Sequence, residues 1–281
     1  MDKFISYEKA ERDIDKWIKT FPERYDLIIG IPRSGLYVAS YIATKLGLPL
    51  STPDNFIRGD IWFISGIQQS VIRKILLVED SSACQSNGQL IKNYNLLTNS
   101  SPKLEITPAT LYKVFTNQKE TILQKELLFT KTLTPPYCFE WNLMHRKYGV
   151  VASDLDGVLC HDWEPDLYES YKVFLEKSQP YLIPKFRIDY IITSREEQYR
   201  SLTLNWLKKY SVDFGNLIMI KNHNSSWSGI KNKTKWLKRL HPTWYWESNI
   251  YEAYSISKLT NIPILCTDNM TLFTGGLSLS V

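Results

Sequence analysis

Two short stretches place carboxylates where an apolar run stops. Ile75 to Asp80 reads ILLVED and leads into the polar segment Ser81 to Gly88. Val150 to Cys160 reads VVASDLDGVLC, with Asp154 and Asp156 two residues apart and Gly157 behind them. In open α/β sheets, such strand ends face the ligand crevice. The second motif suits attack on phosphorus. Asp154 is the candidate nucleophile, forming an aspartyl phosphate. Asp156 is the candidate general acid, and later the base that activates water. Gly157 permits the turn that presents both. A structural Ca²⁺ loop would need further oxygen ligands at alternate positions, which are absent here.

Three later features serve the same chemistry. Tyr190 to Thr193 is an apolar strand ending in Thr193, a hydroxyl for the transferred phosphoryl group. Lys233 opens a helix with Leu237 and Leu240 on one face, and its charge would neutralise the phosphoryl oxygens; Lys231 and Lys235 compete for that role. A strand from Thr243 ends at Glu247, with Asn249 beside it. Asp154, Asp156, Glu247 and Asn249 are the candidate Mg²⁺ ligands. His161, close to Asp156, is a weaker candidate contact, and the four histidines lack metal-ligand spacing.

The first motif suits a sugar phosphate. Glu79 and Asp80 together can hold a ribose diol and a hydrated Mg²⁺. Ser81, Ser82, Ser86, Asn87 and Gly88 offer hydroxyl and N–H groups to a terminal phosphate just before a helix. Upstream, Ile29 to Gly35 forms a tight strand-to-helix turn. Its N–H groups and the following helix N-terminus would attract phosphate, and Arg33 can add two-pronged contacts. Taken singly, each feature also fits an ordinary loop with an acidic cap.

The elements that must position these residues alternate in kind. Strands are expected at 25–31, 74–78 and 110–115, with helices at 6–20, 36–46 and 88–97; residues 53–70 look irregular. A second series places strands at 149–153, 188–193, 216–220, 243–247 and 263–266, and helices at 166–176, 195–210, 231–240 and 249–258. Such alternation means an α/β fold with parallel sheets. The 281 residues suffice for two domains. We expect them at 1–135 and 149–281, each a mainly parallel sheet flanked by helices, with 136–148, led by tandem prolines, as connector. The four cysteines form no CxxC pair, which argues against a zinc site or a disulfide framework. A net charge of +5 is mild for this size and suits anionic small substrates rather than nucleic acid. No apolar run has membrane-spanning length, and the charged N-terminal residues are unlike a secretory leader. A cytoplasmic protein with no membrane insertion is the expectation.

Residues 20–115 resemble the type I phosphoribosyltransferases, on the strength of the turn at Ile29 to Gly35 and the acidic pair with its following loop. The resemblance implies phosphoribosyl pyrophosphate (PRPP) as donor, with Mg²⁺. It implies that Arg33, Ser34 and Gly35 bind pyrophosphate, that Glu79 and Asp80 hold the ribose hydroxyls, and that Ser81 to Gly88 bind the 5′-phosphate. Residues 55–70, with Arg58 and Asp60, occupy the place of the family's hood. Gly88 follows the acids later than is usual in that family. Residues 148–268 resemble the haloacid dehalogenase (HAD) superfamily of phosphatases. That order of motifs implies Asp154 as nucleophile, Asp156 as acid and base, and Thr193 and Lys233 as phosphoryl binders, on a Rossmann-like fold. Asn249 stands where a second acid is frequent, so Glu247 carries more of the metal binding. The intervals from Asp154 to Thr193 and from Thr193 to Lys233 leave room for core elements but not for a full cap domain, and resemblance to the cap-poor members of that superfamily implies an open site and a bulky substrate.

Fusions of these two families resemble machinery that builds ribofuranose into surface polysaccharides. The resemblance implies transfer of ribose 5-phosphate to a sugar or glycan, then removal of the phosphate. Two alternatives remain open: a nucleobase phosphoribosyltransferase coupled to a 5′-nucleotidase, and a PRPP-binding regulator with a phosphatase domain.

Overall fold

The computed structural model describes residues 4–63, 71–82, 88–114, 127–134, 137–221 and 226–275. Contacts divide the chain into two compact units. One spans Tyr7–Tyr137; the other joins Met1–Ser6 to Cys138–Val281. The link within the latter is a short parallel pairing of β1 (Phe4–Ile5) with Cys138–Phe139, which buries Phe4 and Cys138 in that unit's core.

The first unit opens with α1 (Tyr7–Ile18), which buries Ala10, Ile14 and Trp17 on one stripe. Then come β2 (Leu27–Gly30), α2 (Ser34–Leu46), β3 (Leu50–Ser51), α3 (Pro53–Arg58), β4 (Lys74–Ser82), α4 (Gln89–Ser100), β5 (Glu105–Val114) and β6 (Leu128–Leu133). The sheet order is β3-β2-β4-β5-β6, and every pairing is parallel. Parallel strands are covered on both faces, and Leu27 to Ile29 and Ile75 to Val78 are accordingly fully buried.

Several extents differ from the sequence expectation, and β3 and β6 are strands that it did not include. Residues 53–58 are helical: Thr52 caps the first turn from its side chain, Pro53 sits where no N–H is needed, and Gly59 closes the helix in the left-handed region. β4 continues two residues past the acids, because Ser81 and Ser82 pair with Tyr112 and Lys113. β5 starts at Glu105, despite Pro108. That residue lies just before β6 joins, where β5 has β4 alone as partner.

The second unit contains β7 (Cys138–Phe139), β8 (Val151–Ser153), α5 (Tyr171–Lys177), β9 (Ile188–Glu196), α6 (Arg200–Lys209), β10 (Phe214–Ile220), α7 (Ser226–Leu240), β11 (Trp244–Glu247), α8 (Ile250–Thr260), β12 (Ile264–Cys266) and β13 (Thr271–Phe273). Its main sheet runs β10-β9-β8-β11-β12-β13, parallel apart from the last strand. The stretch read as a connector is partly structural: it supplies β7 and a 3₁₀ turn, and buries Leu143. Two helices start later than expected. α5 waits for Ser170, whose hydroxyl accepts from Val173 N–H at 3.3 Å. α6 waits until Arg200, because Ser194 to Glu196 stay in β9.

Both units are therefore α/β folds with parallel sheets. In each, the chain reverses its direction of travel across the sheet. β3 lies on one side of β2 and β4 on the other; β9 lies on one side of β8 and β11 on the other. A crevice opens at the carboxyl ends of strands at such a reversal. No helix among the described residues is long and apolar enough to cross a membrane.

One contact ties the first crevice together. Gly35, at the start of α2, packs directly on β4: a Cβ there would lie 2.8 Å from the Val78 carbonyl oxygen and 2.9 Å from the Glu79 Cα. Gly35→Ala must push α2 off the sheet. Overpacking of this kind costs about 1–3 kcal/mol, and we expect a loss of that size in the denaturant unfolding of the variant.

Candidate functional site

The larger site lies at the β8/β11 reversal. Asp154 directly follows β8, and its N–H donates to the Trp246 carbonyl at 2.8 Å, which locks it against β11. Glu247 is the last residue of β11, and Thr193 lies on β9. Gly157 makes the turn beyond the acids with φ of +74°. Its missing Cβ leaves room for Ser248, whose Cβ would be 2.6 Å away. Asp154, Asp156, Thr193, Lys233, Glu247 and Asn249 all line one cavity of about 540 Å³.

At its floor is a buried ammonium. α7 turns Ile230, Lys233, Thr234 and Leu237 inward, at the spacing of a helix's core face. Lys233 is thus buried where Lys231 and Lys235 are exposed. Its Nζ donates to Asp154 Oδ2 at 2.5 Å, Glu247 Oε2 at 2.7 Å and Glu252 Oε2 at 2.8 Å. An ammonium has three N–H donors, and all three are used. The second oxygens of Asp154 and Glu247 are also held: Asp154 Oδ1 accepts from Leu155 N–H at 2.7 Å, and Glu247 Oε1 accepts from Ser248 N–H at 3.0 Å and Asn249 N–H at 3.3 Å.

This cluster has three carboxylates for one ammonium. Burial, opposed by Lys233, raises the Asp154 and Glu247 carboxyls above their usual range. Burial works against the Lys233 charge, but Asp154 and Glu247 outweigh it and hold the ammonium on. The excess of negative charge and the oxygen-only donor set fit a hard divalent cation such as Mg²⁺. Among the described residues, no group of three acidic, histidine or cysteine side chains is gathered as an ion cage.

A second pair flanks the first. Arg195 Nε reaches both oxygens of Asp156 at 3.0 Å, and Nη2 reaches Oδ1 at 2.5 Å. The guanidinium also lies 5.4 Å over the Phe174 ring and donates to Thr203 Oγ1 at 3.5 Å. Burial alone would lower its affinity for the proton; Asp156 reverses that and raises it. The Arg195 N–H donates to Thr193 Oγ1 at 3.2 Å, leaving that hydroxyl its own hydrogen to give.

Asn249 takes a different post from the one expected. Its Oδ1 caps α8, accepting from Tyr251 N–H at 2.9 Å and Glu252 N–H at 3.1 Å. The amide oxygen that a metal would take is thus engaged by the helix. His161 stacks on Tyr181, with ring centroids 5.2 Å apart. Sequence reasoning missed Arg195 and Glu252. Period-two spacing from Thr193 along a longer strand would have pointed to the first; position three after the Asn249 cap would have pointed to the second.

The smaller site lies at the β2/β4 reversal. Arg33 is exposed beside Ser34 and Gly35, after a cis peptide between Pro32 and Arg33. Asp80 is buried and Glu79 partly so. Burial, then the Asp80 charge, raises the Glu79 carboxyl from 4.5 to about 8, and a hydrogen bond from the Leu90 N–H opposes the shift. Ser81 and Ser82 belong to β4, and Gly88 precedes α4 as its cap. Ser86 and Asn87 lie outside the described residues, as do residues 64–70 of the expected hood.

Solved structures similar to this chain include three phosphoribosyltransferases. The Helicobacter pylori xanthine-guanine-hypoxanthine enzyme gives a TM-score of 0.38 at 17% identity, over 51% of this chain and 93% of that one. The purine enzyme of Pyrococcus horikoshii gives 0.35 at 18%, over 50% and 93%. The orotate enzyme of Aeropyrum pernix gives 0.31 at 18%, over 45% and 71%. No family model and no curated protein matches the chain.

Two measurements check these electrostatics. Lys233→Met strands the buried carboxylates, an outcome that costs about 3–5 kcal/mol near neutral pH. Because burial raises the Asp154 and Glu247 carboxyls, protonation relieves the stranded charge and the loss should shrink as pH falls, read by denaturant unfolding at acid and neutral pH. Glu79 has its own signature. With a folded pKa above the unfolded value, its contribution to stability is complete below 4.5 and drains away as pH rises toward about 8. Glu79→Gln should flatten that part of the stability–pH curve.

Proposed function

We propose that the chain is a two-step enzyme: the first unit transfers ribose 5-phosphate from PRPP to an acceptor hydroxyl, and the second removes the 5-phosphate. The observation that carries the reading is the buried Asp154–Lys233–Glu247 cluster sharing one cavity with Asp156 and Thr193. This is the group set a phosphomonoesterase needs, since the uncatalysed reaction is among the slowest known.

In the second unit, Asp154 Oδ attacks phosphorus and the bond from phosphorus to the sugar oxygen breaks. Asp156, oriented by Arg195 and entering the cycle protonated, gives that proton to the departing alkoxide. It then takes a proton from the water that cleaves the aspartyl phosphate, releasing inorganic phosphate and restoring Asp154. The Thr193 hydroxyl donates to a phosphoryl oxygen, and the positive charge of Lys233, whose donors stay with its carboxylate partners, offsets the charge that grows in the transition state. Asp154, Asp156 and Glu247 would hold Mg²⁺, which supplies further charge neutralisation when bound.

In the first unit, the anomeric C–O bond of PRPP breaks and pyrophosphate leaves. The acceptor oxygen bonds to that carbon and loses its proton. Arg33, Ser34 and Gly35 would take the pyrophosphate; Glu79 and Asp80 would hold the ribose hydroxyls. Ser81, Ser82, Ser86, Asn87 and Gly88 would serve the 5-phosphate. The Gly35 contact with β4 supports this assignment, because it brings the turn against the acidic pair. A sugar or glycan acceptor is favoured, since a nucleobase acceptor would make a nucleotide that the second unit then dismantles.

The test is incubation with PRPP, Mg²⁺ and a panel of glycans and nucleobases, with products read by mass. Wild type should add a bare pentose to a glycan, and Asp154→Asn a phosphopentose. A nucleotide product would overturn the glycan assignment, and identical products from both proteins would overturn the phosphatase.

A further inference from the structure

Part of the lining of the cavity around Asp154 is left unused by the phosphoryl chemistry. Trp163, Tyr171 and Tyr199 line it, each only partly buried. Their rings brace one another. Tyr171 meets Trp163 edge-on at 5.6 Å and Tyr199 edge-on at 5.6 Å, and the buried Phe174 lies against both Trp163 and Tyr171. Rings held this way offer a preformed surface, so a ligand need not order them. The C–H face of a sugar ring is the natural complement of such a surface.

The polar lining of the same cavity is one-sided. Six carboxyl side chains and one ammonium line it among the described residues. Lys233 is spent on its three partners, and Arg195 is spent on Asp156. Asp162 and Glu196 add an acidic wall to the same lining. Carboxylates accept hydrogen bonds from sugar hydroxyls. They repel a second phosphate, and like-charge juxtaposition is the usual means of rejecting a wrong ligand.

We propose that this part of the cavity is the leaving-group subsite, and that it selects a sugar phosphate whose sugar is otherwise uncharged. The proposal rests on the phosphatase reading above. Its consequence is protective. PRPP carries the same 5-phosphate as the transfer product, and a phosphatase blind to the remainder of the molecule would destroy the donor. The pyrophosphate on PRPP is the second anion that the acidic wall turns away; the glycoside formed from it has lost that anion.

Three substrates test this: methyl ribofuranoside 5-phosphate, PRPP, and glycerol 3-phosphate as a ringless control. The kcat/KM for 5-phosphate release should favour the riboside over PRPP by at least about tenfold. The double variant Asp162→Asn/Glu196→Gln should narrow that gap by raising the value for PRPP. Trp163→Ala should raise KM for the riboside about three- to tenfold while leaving glycerol 3-phosphate unchanged, and Trp163→Phe should restore it. Calorimetric binding of the three to Asp154→Asn should follow the same order. Equal treatment of PRPP and riboside, in turnover or in binding, overturns the inference. So does a Trp163→Ala effect that falls equally on all three. The expected order of binding without any turnover overturns the phosphatase reading alone.

Discussion

Everything in the second unit is arranged around one buried ammonium. Lys233 is 2% exposed and shares its three N–H donors among Asp154, Glu247 and Glu252. Burying a charge is costly unless it is paired and hydrogen-bonded, and removing one partner of such a set is more costly still. The cluster therefore dictates what surrounds it. α7 must present a lysine on its core face, and β8 and β11 must end side by side. α8 must begin close enough for Glu252 to reach back. Asp154 is held both by its N–H to the Trp246 carbonyl and by its carboxylate, so the candidate nucleophile has little freedom to turn away.

The same constraint explains the chemistry on offer. Three carboxylates against one cation leave the pocket short of positive charge, and the raised Asp154 and Glu247 carboxyls express that shortage. Asp156, by contrast, is matched with Arg195, so two carboxylates two residues apart experience different surroundings. The first unit uses a different device. Its acids are packed against the glycine of a turn from the neighbouring strand, and burial, then the Asp80 charge, lifts Glu79.

Much of this was legible from the residues. The buried runs Leu27 to Ile29 and Ile75 to Val78 read as parallel strands because both faces are covered. Asp154, Thr193, Lys233 and Glu247 could be listed in order, and all four line one cavity. What the pattern concealed were extents and partners. Short pieces such as β1 and β7 carry too few residues to show a period. α3 was hidden in a stretch rich in Gly, Asp and Arg, although Thr52, Pro53 and Gly59 mark its ends. Arg195 looked like the start of a helix, because nothing local says that β9 continues to Glu196; pairing with β10 decides it.

The sequence by itself determined which residue types were available and the strand or helix each rides on, because periodicity and turn chemistry act over a few neighbours. It also fixed the α/β class, since alternating strands and helices admit few other packings. Only the tertiary structure decided which of three nearby lysines turns inward, that Arg195 guards Asp156, and that Asn249 caps a helix with the oxygen a metal would want. Only it showed that the cavity beyond Asp154 is aromatic and acidic. The reason is that charge neutralisation acts across space. Lys233 and Asp154 are far apart along the chain, and their meeting depends on β11 returning to lie beside β8.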